Sequence, residues 1–214
     1  MKNVILTGSS GGIGSAIAGI LEGNGYKILP VSSRMENLHL LESEVKSILS
    51  ANKLDVLINC AGFGIFRPHE EISPDDIKKM VDVNLTAPLV LSALCLRALK
   101  ASGGSIINIS SIEAIRHSKF SALYTATKSG LRDFSLSLFE EVRKSGVRVT
   151  SINPDITDTH FFDNLSFGPG EEESTFLDPE EVAQAVYTVL QGEGVITDLT
   201  IRPQRAGITK KIHR

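Results

Sequence analysis

The sequence predicts a doubly wound α/β fold of three layers, in which helices cover both faces of a central parallel sheet. Short apolar runs recur along the chain without the alternation typical of a one-faced sheet, as expected for strands buried on both faces. Stretches with helical spacing of apolar residues separate these runs. The expected strands cover residues 4–6, 27–31, 54–59, 105–109, 147–152 and 195–201, and the expected helices lie near 13–21, 41–50, 75–100, 122–144 and 179–190.

The chain is expected to form a single domain over residues 1–214. Its length suits one hydrophobic core, and the sequence contains neither an internal repeat nor a linker-like change of composition. The charged fraction of 22% and the net charge of −3 are ordinary for a globular protein and do not favour binding to nucleic acid or a membrane surface. The sequence has no run of 18 uninterrupted apolar residues, so no membrane span is expected.

The N-terminal residues and the cysteines favour a cytoplasmic protein. The first apolar run passes directly into a glycine turn, without the longer apolar stretch and the cleavage site of a signal peptide. Cys60 and Cys95 have neither CxxC spacing nor a histidine ligand pattern beside them, which predicts no disulfide framework and no metal site.

A glycine-rich turn follows the first predicted strand and opens the first predicted helix. Glycines allow a sharp turn and the close approach of a pyrophosphate, and the helix N-terminus offers free N–H groups. The spacing is GxxxGxG rather than the GxGxxG of the dinucleotide fingerprint, and a tight turn without a ligand is the alternative interpretation. The residues expected to bind a dinucleotide here are Gly8, Ser9, Ser10, Gly11, Gly12, Ile13 and Gly14.

The end of the second predicted strand carries a second cofactor signal, Ser32-Ser33-Arg34. An acidic residue at this place would bind the ribose hydroxyls of NAD(H), whereas an arginine accommodates the 2′-phosphate of NADP(H). The hydroxyls of Ser32 and Ser33 and the guanidinium of Arg34 therefore predict NADP(H). The alternatives are that Arg34 is a solvated loop residue, or that the nearby Glu36 selects NAD(H).

Tyr124 and Lys128 lie four residues apart in a predicted helix, so both side chains are expected on one face. An ammonium beside a phenol favours the phenolate, which predicts a lowered pKa for Tyr124 and a role in proton transfer. Such a pair alone is common in helices. Ser111, which stands thirteen residues earlier at the end of a predicted strand, is expected to lie in the same crevice.

At these positions the chain resembles the short-chain dehydrogenase/reductase family, which has a Rossmann-like sheet. The family's ordered motifs match residues along nearly the whole sequence. They fall on the glycine turn at 7–14, on the strand end Asn59, Cys60, Ala61 and Gly62, on Asn84, on Ser111, on Tyr124 and Lys128, and on Pro154 with Asp155 and Thr159.

The resemblance implies a role for each of these positions. Tyr124 would be the general acid and base, Ser111 would hold the substrate oxygen, and Lys128 would bind the nicotinamide ribose and lower the pKa of Tyr124. Asn84 would hold a water that relays protons towards Lys128. Further cofactor contacts would come from Asn59, Ala61, Gly62, Pro154, Thr157 and Thr159.

Three departures from the family pattern lead to expectations of their own. Cys60 replaces an asparagine and is expected to cause a structural adjustment only. Asp155 replaces a glycine and either alters substrate preference or points away from the site. The short span between Arg34 and Asn59 suggests that a helix is absent or much shortened there, with residues 37–40 as a short third strand. Separately, the polar and glycine-containing segment 164–174 is expected to be a mobile loop.

The expected activity is hydride transfer between NADP(H) and a small-molecule carbonyl or alcohol. The substrate is expected to be that of a 3-oxoacyl carrier-protein reductase or of a small ketone or hydroxy-acid reductase. A dinucleotide-sensing regulator without turnover is the alternative, although such proteins tend to lose the tyrosine or the lysine. The family also implies a homodimer or homotetramer, and no nucleic-acid or membrane partner is expected.

Overall fold

The computed structural model describes residues 1–211, so residues 212–214 of the predicted domain lie outside the described part. Within it the chain forms eight strands: β1 Lys2–Leu6, β2 Tyr26–Pro30, β3 Val56–Asn59, β4 Ser105–Ile109, β5 Arg148–Pro154, β6 Phe167–Pro169, β7 Asp198–Ile201 and β8 Ile208–Lys210. Six of them make one sheet in the order β2-β1-β3-β4-β5-β7, and every neighbouring pair is parallel. The predicted doubly wound fold is confirmed.

Helices cover both faces of this sheet. They are α1 Gly12–Gly23, α2 Leu38–Ala51, α3 Pro74–Val81, α4 Ala87–Ser102, α5 Ala122–Val142 and α6 Pro179–Gln191. Successive residues of a strand point to opposite faces, so Ile5 packs in one apolar cluster with α2, α4 and α5, while Val4 and Leu6 pack in another with α1 and α6. The continuous apolar strands seen in the sequence are therefore the middle layer of three.

The span between β2 and β3 contains a full helix, and the prediction that this helix is absent or much shortened is wrong. The predicted short strand at 37–40 is wrong as well, because Asn37 caps α2 by accepting a hydrogen bond from the backbone N–H of Leu40 at 3.2 Å. Leu41 and Val45, four residues apart, are fully buried and fix the helix against the sheet. β2 is the edge of the sheet.

A π-helical turn, Asp82–Thr86, joins α3 to α4. By length and composition alone, the resulting run Pro74–Ser102 is long and apolar enough to cross a membrane. Its α4 part, however, packs in the core, where Leu91, Cys95 and Leu99 are fully buried. π-helical turns often occur at functional sites, and the turn Asp82–Thr86 contains Asn84.

The segment expected to be a mobile loop contains regular structure. β6 pairs antiparallel with β8 near the end of the described chain, and Phe167 stands opposite Lys210. Short 3₁₀ turns, His160–Phe162 and Glu173–Thr175, flank β6. The expected loop at 164–174 therefore contains the strand β6, because a distant strand supplies hydrogen-bond partners that the local sequence does not reveal.

Candidate active site

A cleft of about 1170 Å³ lies at the carboxyl ends of the parallel strands, where a doubly wound sheet binds its ligands. The turn after β1 forms part of its wall, and segments that follow β3, β4 and β5 form much of the rest. Of the residues predicted for the site, those on the wall are Gly8, Ser10, Gly11, Gly12, Ile13, Gly14, Ala61, Gly62, Ser111, Tyr124, Pro154, Thr157 and Thr159. The sheet thus brings the glycine turn and the predicted catalytic tyrosine to one cavity.

The glycine turn is packed too closely for side chains at three positions, Gly8, Gly12 and Gly14, and a Cβ at Gly14 would clash with the carbonyl of Gly8. Gly8 has a φ of +70°, and a Cβ there would lie 2.9 Å from backbone atoms of Ala61. A Cβ at Gly12 would clash with Cγ2 of Thr159. Because α1 begins at Gly12 and no side chain in residues 1–211 caps it, its first N–H groups remain available to a ligand. This cradle fits the pyrophosphate of a dinucleotide.

Thr7 ties the glycine turn to the end of β3, a role that the sequence analysis missed. Its Oγ1 accepts hydrogen bonds from the backbone N–H groups of Cys60 at 3.0 Å and Ala61 at 3.1 Å. Asn59, predicted to contact the cofactor, instead lies behind the wall, where its Nδ2 donates to Oδ1 of Asn108 at 2.7 Å. Ser9 also lies outside the residues that line the cleft.

Tyr124 and Lys128 lie on α5 with both side chains buried, on the same helix face as predicted. The Nζ of Lys128 donates to the carbonyl oxygen of Ile109 at 2.9 Å and lies 5.8 Å from the centre of the Tyr124 ring. Ser111, also buried, follows β4, and the preceding Ser110 donates from its hydroxyl to the Lys128 carbonyl at 2.8 Å. These bonds fix α5 against the end of β4.

Asn84 reaches the same place from the π-helical turn. Its side chain is fully buried and makes two bonds to the backbone of Phe63: Oδ1 accepts from the N–H at 3.0 Å, and Nδ2 donates to the carbonyl at 2.8 Å. A Cβ on Gly62 would lie 3.2 Å from Oδ1 of Asn84 and 3.3 Å from Nζ of Lys128. The two polar side chains therefore flank one glycine, so the structure brings Asn84 close to Lys128.

The prediction that the pKa of Tyr124 is lowered is wrong. Burial raises the pKa of Tyr124 to about 12; the hydroxyl of Ser111 opposes this rise and the carboxylate of Glu113 adds to it. Burial also lowers the pKa of Lys128 to about 8. Helical spacing predicts that the two groups are close, but it does not predict that both are removed from water.

Ser32 and Ser33 are already hydrogen-bonded to a carboxylate, that of Glu44 on α2. Oε1 of Glu44 accepts from the N–H of Ser32 at 2.8 Å and from its hydroxyl at 2.6 Å, while Oε2 accepts from the N–H of Ser33 at 2.9 Å. Burial opposes the ionisation of Glu44, but these bonds outweigh it and lower its pKa to about 2. Arg34 is exposed and lies outside the cleft wall. Glu44 lies eleven and twelve residues from the two serines, and no pattern in the sequence marks it as their partner.

Two further carboxylates, both almost fully buried, lie on the cleft wall. Glu113 accepts from the N–H of Ser118 at 3.0 Å and from the hydroxyls of Ser118 at 2.6 Å and Ser121 at 2.8 Å. Asp155 accepts from Nε of Arg202 at 2.9 Å. Asp155 therefore lies on the cleft wall and does not point away from it, but Arg202 neutralises its charge. An effect of Asp155 on substrate preference stays a prediction.

Comparison with known proteins agrees with this geometry. The model of the short chain dehydrogenase family matches residues 45–168. The chain is 31% identical to an uncharacterized oxidoreductase of Staphylococcus aureus (strain N315), over 94% of this chain and 97% of that protein. An uncharacterized oxidoreductase of Staphylococcus epidermidis (strain ATCC 12228 / FDA PCI 1200) is similar to the same degree, with the same coverage.

Solved structures resemble the chain over almost its whole length. An alcohol dehydrogenase from the archaeon Thermococcus sibiricus, complexed with 5-hydroxy-NADP, has a TM-score of 0.87 at 25% identity and covers 97% of this chain and 99% of its own. A 4-hydroxyisoleucine dehydrogenase complexed with NADH has a TM-score of 0.83 at 22% identity and covers 95% and 97%. The second likeness bears on the fold alone.

Proposed function

The chain belongs to the short-chain dehydrogenase/reductase family of oxidoreductases, and on this premise we propose that it transfers a hydride between NADP(H) and a carbonyl or secondary-alcohol substrate. The observation that carries the proposal is that Ser111 and Tyr124 line one cleft with the glycine cradle, while the buried Lys128 has its Nζ 5.8 Å from the centre of the Tyr124 ring. A sheet core alone requires neither a buried lysine beside a buried tyrosine nor an uncapped helix N-terminus.

The proton chemistry follows from the state of Tyr124. A pKa of about 12 keeps the phenol protonated at neutral pH, so it can donate a proton to a carbonyl oxygen held by the hydroxyl of Ser111. The ammonium of Lys128 is available for the ribose hydroxyls of the cofactor, whose nicotinamide supplies or accepts the hydride when it is bound. The cradle of Gly8, Gly12 and the first amides of α1 would hold the pyrophosphate.

The proposed preference for NADP(H) rests on Arg34. The register of β1 with β2 pairs Leu6 with Pro30, which places the end of β2 beside the glycine turn. Arg34 is exposed there and forms no ion pair with a carboxylate in residues 1–211, so its guanidinium is free for a phosphate. Glu44 opposes this preference because it occupies the donors of Ser32 and Ser33.

The experiment is a titration of the purified protein with NADPH and NADH, followed by NADPH oxidation with a panel of aldehydes and ketones. Saturable cofactor binding with turnover, abolished in Tyr124→Phe while binding is kept, is the expected result. Tight cofactor binding without turnover of any carbonyl compound would instead support the dinucleotide-sensing regulator. An absence of cofactor binding would refute both.

A further inference from the structure

The substrate side of the cleft has an aromatic wall that begins at the catalytic tyrosine. The ring centre of Phe66 lies 5.1 Å from that of Tyr124, and the ring centre of Phe167 lies another 5.1 Å from that of Phe66. Phe161 lies 6.0 Å from Tyr124 on a neighbouring segment. All three phenylalanines line the cleft and are only partly buried, so their rings are available to an apolar ligand.

The aromatic wall ends at two lysines near the end of the described chain. Lys210 stands opposite Phe167 in the antiparallel pair of β6 and β8, and opposite residues of such a pair project from the same face. Nζ of Lys211 donates to the carbonyl of Phe162 at 2.5 Å, which holds this lysine at the same rim. Both lysines line the cleft, and neither forms an ion pair within residues 1–211.

The carboxylates on the cleft wall do not neutralise the rim formed by Lys210 and Lys211, so this rim is positively charged. The carboxylates of Glu113 and Asp155 are almost fully buried and are already hydrogen-bonded to Ser118, Ser121 and Arg202. The charged side chains that reach solvent around the cleft include Lys119, Lys210 and Lys211. A positive rim on a chain with a net charge of −3 favours an anionic ligand.

We propose that the substrate is an amphipathic carbonyl compound: an apolar, preferably aromatic, group next to the reacting carbonyl, and a carboxylate or phosphate at the far end that Lys210 and Lys211 receive. The inference rests on the proposed function, since it assumes that the carbonyl is reduced at Tyr124. It adds the substrate class, which the family resemblance leaves open.

The test uses matched pairs of compounds, an aryl ketone that carries a distal carboxylate and the methyl ester of the same compound, each with saturating NADPH. The wild-type protein is expected to show a kcat/KM for the acid at least about tenfold above that for the ester, the effect of one charge-assisted hydrogen bond. In Lys210→Ala this ratio should fall towards one through a higher KM for the acid. Lys210→Arg should restore it, and Lys100→Ala, an exposed lysine on α4 outside the cleft, should leave it as in the wild type.

Three results would overturn the inference. Equal efficiency for acid and ester in the wild type would show that the anion is not recognised. A higher KM for NADPH in Lys210→Ala, with an unchanged acid-to-ester ratio, would show that the lysine serves a phosphate of the cofactor. If neither compound is turned over, calorimetry measures the binding of the acid and of the ester to the NADPH-bound protein. Equal binding of the two compounds, or no binding of either, would refute the substrate class. Failure of the proposed function, by contrast, is an absence of NADPH binding, or NADPH binding without turnover of any compound in the carbonyl panel.

Discussion

Removing the carboxylate of Glu44 is expected to increase the preference for NADPH over NADH. With a pKa of about 2, this carboxylate is charged at every assay pH, and it accepts three hydrogen bonds from Ser32 and Ser33. A 2′-phosphate beside Arg34 would meet that charge and would find those donors taken. In Glu44→Ala the donors are released.

The size of the effect follows from the number of donors recovered. One charge-assisted hydrogen bond contributes about 1.5–3 kcal/mol, so a single recovered donor should raise the ratio of kcat/KM for NADPH over NADH by about 10-fold to 100-fold. Glu44→Gln, which removes the charge and keeps the shape, should give a smaller rise in the same direction. NADH has no 2′-phosphate, and its KM should change little.

The assay measures kcat/KM for both cofactors with one accepted ketone, together with cofactor affinity by fluorescence titration. Glu42→Gln is the matched control, because Glu42 lies on the same helix, faces Lys46 and makes no bond to the two serines. Equal changes for NADPH and NADH in Glu44→Ala, or no change in either, would refute the assignment of this strand end to the 2′-phosphate.

Four further outcomes are expected. Tyr124→Phe should lower the rate by about 10²–10⁴-fold with NADPH affinity kept; a variant with more than about a tenth of the wild-type rate would contradict the proton-transfer role. Arg34→Ala should raise the KM for NADPH, and a matching rise for NADH would argue against phosphate binding. Lys128 has a pKa of about 8 in the free protein, so kcat/KM should change near that pH, and Lys128→Met should abolish this step in the pH profile. Burial raises the pKa of the Cys95 thiol from 9.0 to about 12, so this thiol ionises at lower pH in the unfolded chain than in the folded one. The free energy of unfolding should therefore fall as the pH rises from 9 towards 12. Denaturant titrations of Cys95→Ala should show a smaller fall in the free energy of unfolding than those of the wild type.

Much of the fold and of the cleft could be predicted because the signals are local. A buried parallel strand is a short apolar run, and the turn from β1 into α1 has its glycines in consecutive sequence. The signal for the predicted catalytic pair is equally local, since four residues along a helix place Tyr124 and Lys128 on one face. Ser111 follows from its place at the end of a predicted strand together with the family's ordered motifs, whereas Asn84 follows from those motifs alone.

The features of the fold and of the site that could not be predicted depend on contacts between distant parts of the chain. Glu44 reaches Ser32 across a turn and part of a helix, and nothing near the serines in sequence marks it as their partner. A shortened span between Arg34 and Asn59 is compatible with the loss of either a strand or a helix, and only the burial of Leu41 and Val45 shows that the helix remains. The pKa of Tyr124 likewise depends on burial, which spacing along the chain does not reveal.

The π-helical turn at Asp82–Thr86 makes the length of this segment as important as its composition. Each residue advances an α-helix by about 100° around its axis, so one residue more or fewer changes the direction of everything that follows. Deleting a single residue here would favour an unbroken α-helix. Either Asn84 would then turn away from Phe63, or the buried stripe of Leu91, Cys95 and Leu99 would turn away from the sheet. An alignment gap in this segment would therefore separate relatives that share this site geometry from those that do not, even where an asparagine is present in both.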